Sequence, residues 1–371
     1  MADGDIVTEG PERDTSSSSG LSKYTPPADE VQPIPAAAET TITSSDPLAM
    51  AGADTAPVAG AGAPEKAANG KVRLGDRVFL GLTSGASAFI VLLVVLIAAF
   101  LLIKSVPSIL DNKVNFLTSS EWQTTPGDLR FGVAPLLYTT VLLSVVALVI
   151  AVPLAIGIAL FITQYAPRRL AKPVAYIIDV LAAIPSIIYG IWGARELAPA
   201  LTGTQDVISK IGLGLFSNQG IDRGTVFNGG IVLAVMILPI ITAISRDVFA
   251  RTPRANIEAA WALGATRWEM IRMAVLPYGR AGVVSGAMLG LGRALGETIA
   301  IALILSKVSS FSPSIFSGGE SIASKIANNA AEFGNASSTG AYIAIGLVLF
   351  LLTFVVNAAA RAVVNRKKEF S

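Results

Sequence analysis

The chain has 371 residues, of which 52% are hydrophobic and 15% charged, and it contains neither cysteine nor histidine. Soluble domains carry about 25% charged residues, so this deficit, spread over long apolar runs, indicates a membrane protein. Without cysteine and histidine the chain lacks thiolate and imidazole chemistry and the usual zinc, iron and copper sites. We therefore expect no metal site and no cofactor in this chain.

An acidic, proline-rich tail begins the chain. Residues 1–70 hold 11 Asp and Glu against 3 Lys and Arg, and 8 of the 20 prolines. The tail has no sustained periodicity and few large apolar residues, which predicts a disordered, cytoplasmic segment. It also lacks the basic and apolar regions of a signal peptide. A passive tail is favoured over a segment that recruits a partner, and residues 71–371 are predicted to form the membrane domain.

Six apolar stretches are long enough to cross a bilayer, whose core of about 30 Å needs roughly 20 helical residues. They cover residues 79–103, 131–167, 173–194, 224–245, 281–306 and 339–360. Prolines 153, 185 and 239 lie inside the second, third and fourth stretches and predict kinks there. The sequence thus predicts an all-α membrane protein with six transmembrane helices.

The distribution of basic residues predicts the orientation. With a cytoplasmic N-terminus, the inner segments hold 16 Lys and Arg and the outer segments 8. Because positive charge concentrates on the cytoplasmic side, both termini are expected inside. The outer segments, at about 107–130, 195–223 and 307–338, are rich in Gly, Ser and Asn and could face an outside partner.

The inner segment 246–280, named the docking loop here, is too long for a turn and too polar to span. Ile257, Ala260 and Trp261 share one face of a predicted short helix, because their spacing is i, i+3, i+4. Gly264 is predicted to end this helix. The loop is either an amphipathic anchor on the membrane surface or a docking element for a partner.

A second short helix is predicted after that glycine. Thr266 is a candidate N-cap, and Glu269 three residues later completes a capping box. Pro277 is expected to close the loop before the next span. Two short helices with a glycine corner would form a compact cytoplasmic knob.

Arg293 and Glu297 lie inside the fifth predicted span. Arg293 would lie about 18 Å deep at 1.5 Å per residue, where insertion costs about 2.5–3.5 kcal/mol. The four-residue spacing predicts that both groups share one helical face, within reach of each other. The pair could be mutually neutralised and structural, or it could line an anion path. In the second case Arg293 binds an oxyanion bidentately and Glu297 accepts a hydrogen bond from a protonated oxyanion, which favours phosphate over sulfate.

A third buried charge, Asp179, lies in the third predicted span and needs a donor. Arg293 or an arginine of a partner subunit are the candidates, and a structural role and a place in the substrate path both stay open. The fifth span also carries Gly282, Gly286 and Gly290 at four-residue spacing. These glycines predict close packing against a partner permease half, or a sliding gate.

No nucleotide site is encoded in the chain. The P-loop pattern G-x-x-x-x-G-K-[ST] is absent, and the one Gly-Lys pair, at Gly70 and Lys71, is followed by Val. If ATP drives this protein, a separate subunit must hydrolyse it.

Three motifs carry a resemblance to a known family. Residues 290–298, GLGRALGET, and residues 183–193, AIPSIIYGIWG, resemble permeases of high-affinity phosphate ATP-binding-cassette (ABC) importers, of the PstC type more than the PstA type. The docking loop resembles the EAA loop of ABC-importer permeases. It departs mildly at Ala274, where that family usually has a branched apolar residue, often Ile, two positions before the Leu. Its matching residues are Glu258, Ala259, Ala260, Gly264, Leu276 and Pro277.

The resemblance covers about residues 72–365 and leaves out the tail. It implies a MetI-like, type I importer fold, a docking loop that couples to an ATPase, and transport roles for Arg293 and Glu297. It also implies a heterodimer with a sister permease, two ATPase subunits that bind ATP and Mg, and an extracytoplasmic phosphate-binding protein. The expected location is the bacterial cell membrane, and no nucleic-acid partner is expected.

Other functions remain open at this point. The chain could be the permease of an ABC importer for another oxyanion, such as phosphonate, sulfate or molybdate. It could be an ion-coupled secondary transporter, which would leave the docking loop unexplained. A membrane sensor of phosphate status, which signals without transport, is a further alternative.

Overall fold

A computed structural model describes residues 74–210, 216–217, 224–308 and 311–366. The predicted tail, residues 1–70, lies outside the described residues. The helices are α1 Leu74–Leu110, α2 Ala134–Leu160, α3 Arg168–Ala183, α4 Ser186–Trp192, α5 Ala198–Ser209, α6 Val226–Ala250, α7 Arg254–Ala262, α8 Arg267–Met270, α9 Leu276–Leu295, α10 Ile299–Ile304, α11 Ile322–Asn328 and α12 Ala336–Arg366. Strands β1 Trp122–Thr125 and β2 Asp128–Phe131 pair as an antiparallel hairpin.

Four of the described helices are long and apolar enough to cross a membrane: α1, α2, α6 and α12. A fifth crossing is possible if α3 and the helical segment from Ser186 to Ser209, which meet at 93°, form one broken span. The bend falls at Ile184, whose extended backbone (ψ 129°) is the conformation that a following proline favours. The predicted kink at Pro185 is therefore confirmed, whereas α2 and α6 stay helical through Pro153 and Pro239.

The fifth predicted span, residues 281–306, is divided into two helices. Helix α9 ends at Leu295, and α10 begins at Ile299. Gly296 is the C-cap of α9, and Thr298 precedes α10 with a φ of −113°. Neither α9 nor α10 is by itself both long enough and apolar enough to cross a membrane. The count of six transmembrane helices therefore stays a prediction.

Helix α2 runs between two distinct packing clusters, and these define the two ends of the domain. At its start, Val133 and Leu136 pack with Tyr342 of α12 beneath the β-hairpin. At its finish, Ala159 and Leu160 pack with residues of the docking loop. We call these the hairpin end and the loop end. Helix α12 consequently starts at the hairpin end, whereas α9 starts at the loop end.

The core between these ends is built from α2, α6 and the segment around α10. Ala147, Ala151 and Ala155 are fully buried at four-residue spacing, so they form one narrow stripe on α2. Leu233 and Ile237 of α6 are buried in the same cluster. The small side chains let α2 and α6 approach closely.

The glycine stripe of α9 packs against α6 of the same chain. A Cβ atom on Gly282 would lie 2.3 Å from the Val248 side chain, and one on Gly290 would lie 3.0 Å from Ile241. At Gly286 the added atom would lie 3.3 Å from Ile244. The close packing predicted from the sequence is found against α6 of the same chain, and packing against a partner permease half or a sliding gate stays a prediction.

Candidate functional site

The docking loop turns sharply between α7 and α8. Gly264 adopts a φ of +79°, in the left-handed region that favours glycine. Its N–H donates to the carbonyl oxygen of Trp261 (2.9 Å), and the N–H of Ala265 donates to that of Ala260 (3.2 Å). This pair of bonds is a Schellman motif, which satisfies the last carbonyl groups of α7. The predicted helix end at Gly264 is confirmed.

The capping box at the start of α8 is also confirmed. The Glu269 amide N–H donates to the Thr266 hydroxyl oxygen (3.4 Å), and the Thr266 N–H donates to Oε2 of Glu269 (2.8 Å). The backbone and hydroxyl hydrogen bonds from Thr266 lower the pKa of the Glu269 carboxyl below its usual value of 4.5. The loop therefore has a defined shape that its own sequence specifies.

The motif residues of the docking loop divide between two faces. Glu258, Ala259, Gly264 and Pro277 are exposed. Ala260 is buried and Leu276 half-buried, and both pack in the cluster at the loop end of α2. The structure thus packs two of the predicted docking residues against the loop end of α2 and leaves the other four exposed.

Large apolar side chains on this loop also face outward. Leu263 is 85% exposed, Trp268 56% and Trp261 53%. Trp261 therefore does not share the buried environment of Ala260, although both lie near one helical face. The sequence did not single out Leu263 or Trp268, whose signal is an apolar residue within a polar loop.

Arg293 and Glu297 do not form the predicted ion pair. Among the described residues neither has a charged partner within 4.0 Å. Glu297 instead accepts a hydrogen bond from the N–H of Ala300 (3.3 Å) at the start of α10. The physical reason is the break after Leu295: four-residue spacing aligns side chains only within a continuous helix.

Asp179 has a partner that the sequence did not suggest. Its Oδ2 lies 3.8 Å from Nη1 of Arg246, near the end of α6, and not beside Arg293. The Asp179 side chain is 55% exposed, and Arg246 also lies 3.6 Å from Asp247. Because Asp179 is exposed and shares Arg246 with Asp247, this ion pair contributes little to the packing of α3 against α6.

Arg293 lines an open cavity of about 700 Å³ between α6, α9 and α12. Its other polar lining residues are Ser285, Asn357 and Arg361. Both guanidinium groups are exposed in the isolated chain. The sequence reasoning missed Asn357 and Arg361, although a polar residue four positions before an arginine at the end of an apolar run was a usable signal.

The sequence of this chain is similar to those of known transport proteins. The family profile "Binding-protein-dependent transport system inner membrane component" matches residues 151–369. The chain is 52% identical over 302 residues to "Phosphate transport system permease protein PstC 2" of Mycobacterium tuberculosis, covering 80% of this chain and 93% of that protein. It is 54% identical over 274 residues to "Phosphate transport system permease protein PstC" of Mycobacterium leprae, covering 72% and 86%.

Among solved structures, the chain is similar to one of the inward-facing MetNI methionine ABC transporter. The TM-score is 0.46 at 18% identity, over 63% of this chain and 94% of that one. The family match covers more than half of the chain, and the two mycobacterial relatives cover most of it. This chain therefore belongs to the family of binding-protein-dependent transport system inner membrane components.

Proposed function

We propose that this chain is the permease subunit of an ABC importer that moves inorganic phosphate into the cytoplasm. The observation that carries the proposal is the 52% identity over 93% of a mycobacterial protein named as a phosphate transport permease. The apolar helices and the defined docking loop support a membrane-spanning transport component, and we assign ATP hydrolysis to a separate partner subunit. Both termini are proposed to lie on the cytoplasmic side of the bacterial cell membrane.

Arg293 is the proposed contact for the transported anion. An exposed arginine among apolar helices is costly against lipid, so its face must meet water, an anion or another protein. Its planar guanidinium suits the oxygens of phosphate. Oε1 of Glu297 accepts from Ala300, and Oε2 is then available for the proton of a phosphate monoanion or dianion. Asp179 is assigned a positioning role, because it pairs with Arg246.

The docking loop is the proposed binding site of the ATPase subunit. Leu263, Trp261 and Trp268 present apolar surface, and Glu258 adds a charge beside it. Aromatic residues exposed on a rigid turn are the usual anchors of a protein interface. In the complex we expect two ATPase subunits, which bind ATP and Mg, with one docked on this loop and one on the sister permease.

Two further partners complete the proposal. The exposed face that contains Arg293 is the expected contact with a sister permease, which would shield this charge from lipid. At the hairpin end, a cavity of about 520 Å³ is lined by residues that include Glu121, whose side chain is 56% exposed. Charged groups of this kind suit transient docking of an extracytoplasmic phosphate-binding protein.

Uptake by reconstituted vesicles tests the proposal. The complete complex is reconstituted with the binding protein outside and ATP inside, and labelled phosphate is followed. We expect uptake only when this chain and hydrolysable ATP are both present. Uptake that continues without ATP would indicate a secondary transporter, and signalling without flux would indicate a sensor. Deletion of residues 254–270 should also abolish association with the ATPase.

A further inference from the structure

The cavity that holds Arg293 has a second arginine in its wall. Arg293 comes from α9, whereas Arg361 and Asn357 come from α12. Asn357 and Arg361 are four residues apart on one helix, so their side chains lie on the same face, about 6 Å apart along the axis. Two guanidinium groups and one amide therefore face a common space.

These groups lie at different depths. Helix α9 starts at the loop end and α12 starts at the hairpin end, so the two helices run in opposite directions through the domain. Arg293 lies 17 residues into α9, away from the loop end. Arg361 lies 25 residues into α12, which places it toward the loop end. Arg361 is thus displaced from Arg293 toward the side of the docking loop.

The charged residues that line the cavity, Arg293 and Arg361, are both positive. None of its lining residues is acidic, and within the described ranges neither arginine has a carboxylate within 4.0 Å. The opposing group expected from the sequence, Glu297, is absent from the lining. Gly292 is also a lining residue, and a Cβ placed on it would meet no atom within 4 Å, so the cavity is unfilled at that point.

We infer that Arg361 and Asn357 form a second oxyanion site, one step closer to the cytoplasm than Arg293. The guanidinium binds two oxygens of a phosphate group, and the Asn357 amide donates to a third. This inference rests on the proposed phosphate import and adds a residue pair to its path. A lipid headgroup carries the same phosphate chemistry, and the experiment below separates the two sources.

Thiol labelling tests the site without requiring transport. The chain has no native cysteine, so Ala360→Cys, in the wall of the cavity, supplies its single thiol. The complete complex is reconstituted in neutral phosphatidylcholine vesicles and labelled with an anionic or a cationic methanethiosulfonate. We expect the anionic reagent to react faster, and millimolar inorganic phosphate to slow it at least threefold. Arg361→Gln should abolish both effects, so that the two reagents react at similar rates and phosphate no longer slows labelling, and Arg361→Lys should restore both in part.

A matched control is Arg77→Gln, since Arg77 is an exposed arginine on the peripheral helix α1. It should leave labelling and protection unchanged. Equal protection in the presence and absence of Arg361, or no protection in neutral lipid, would overturn the inference. Slower labelling in anionic lipid alone would assign the site to a headgroup and would also overturn it. Because labelling is read without flux, it can fail while phosphate uptake succeeds, or succeed while uptake fails.

Discussion

The Glu297 carboxylate accepts a hydrogen bond from the N–H of Ala300, at 3.3 Å. This contact places the acid at the start of α10, just after the break that separates it from α9. It satisfies one of the N–H groups that a helix start leaves without a partner. Glu297 therefore helps to define the break in the fifth predicted span, and among the described residues its other carboxylate oxygen, Oε2, has no hydrogen-bond partner.

Replacement of Glu297 should separate these two tasks. Glu297→Ala removes the acceptor and should destabilise the protein by about 1 kcal/mol, the usual net value of such a hydrogen bond. Glu297→Gln keeps an acceptor and should retain most of the stability, yet lose phosphate uptake. Thermal unfolding in detergent and vesicle uptake report the two effects. Equal loss of stability in both variants would show that the charge matters and the hydrogen bond does not.

The Gly264 turn should control attachment of the ATPase. Gly264→Ala meets no atom within 4 Å, so its penalty is purely that of the backbone at a φ of +79°, about 1–2 kcal/mol. If the loop must hold this shape to dock, affinity for the ATPase subunit should fall about fivefold to thirtyfold. Gly203→Ala, in an exposed helix with open space, is the control and should have no effect. Unchanged binding by Gly264→Ala would argue against the turn as a docking element.

The capping box should depend on pH in a known direction. Because hydrogen bonds from Thr266 lower the pKa of Glu269 in the folded state, the box stabilises the loop above the unfolded pKa. That stability is lost as the pH falls through the folded value, below 4.5. Thr266→Val should raise the pKa of Glu269 toward its usual value, and Thr266→Ser should not. A carbon-13 NMR titration of the labelled carboxyl measures it, and an identical midpoint in both variants would contradict the assignment.

The ion pair of Lys325 and Glu320 should contribute strongly to stability at the hairpin end. The two charged atoms lie 2.8 Å apart, with each side chain 13% exposed, and Lys325 lies 5.0 Å from the Trp122 ring centroid. Lys325→Met leaves the largely shielded Glu320 with only the more distant Lys307 (3.7 Å), which should cost about 1–3 kcal/mol.

The exposed pair of Lys113 and Asp128 provides the control for that measurement. Lys113→Met breaks a contact of the same length, 2.8 Å, but its side chain is 52% exposed, so the unfolding temperature should barely change. Glu320→Gln combined with Lys325→Met should recover part of the lost stability. Equal shifts for Lys325→Met and Lys113→Met would contradict a strong buried pair.

Structural features that depend on residues close together in the sequence could be predicted from the sequence. The end of α7 at Gly264 and the box of Thr266 and Glu269 depend on contacts within three to five residues, and both are confirmed. The bend at Pro185 is equally local, because proline restricts the residue before it.

Contacts between distant segments could not be predicted. The pairing of Asp179 with Arg246 requires the packing of α3 against α6, which no spacing along the chain reveals. Similarly, Arg361 joins Arg293 only because α9 and α12 lie side by side. The expected pair of Arg293 and Glu297 failed for the opposite reason, since a local rule was applied across a helix break.

The most direct test is the initial rate of ATP-dependent phosphate uptake by the reconstituted complex, measured against competing oxyanions. If Arg293 and Glu297 select a protonated oxyanion, unlabelled phosphate should abolish uptake of the label, and tenfold excess sulfate should leave it nearly unchanged. Arg293→Gln should lower the rate at least tenfold without loss of assembly. Equal inhibition by sulfate, or full uptake by Arg293→Gln, would contradict the proposed phosphate path.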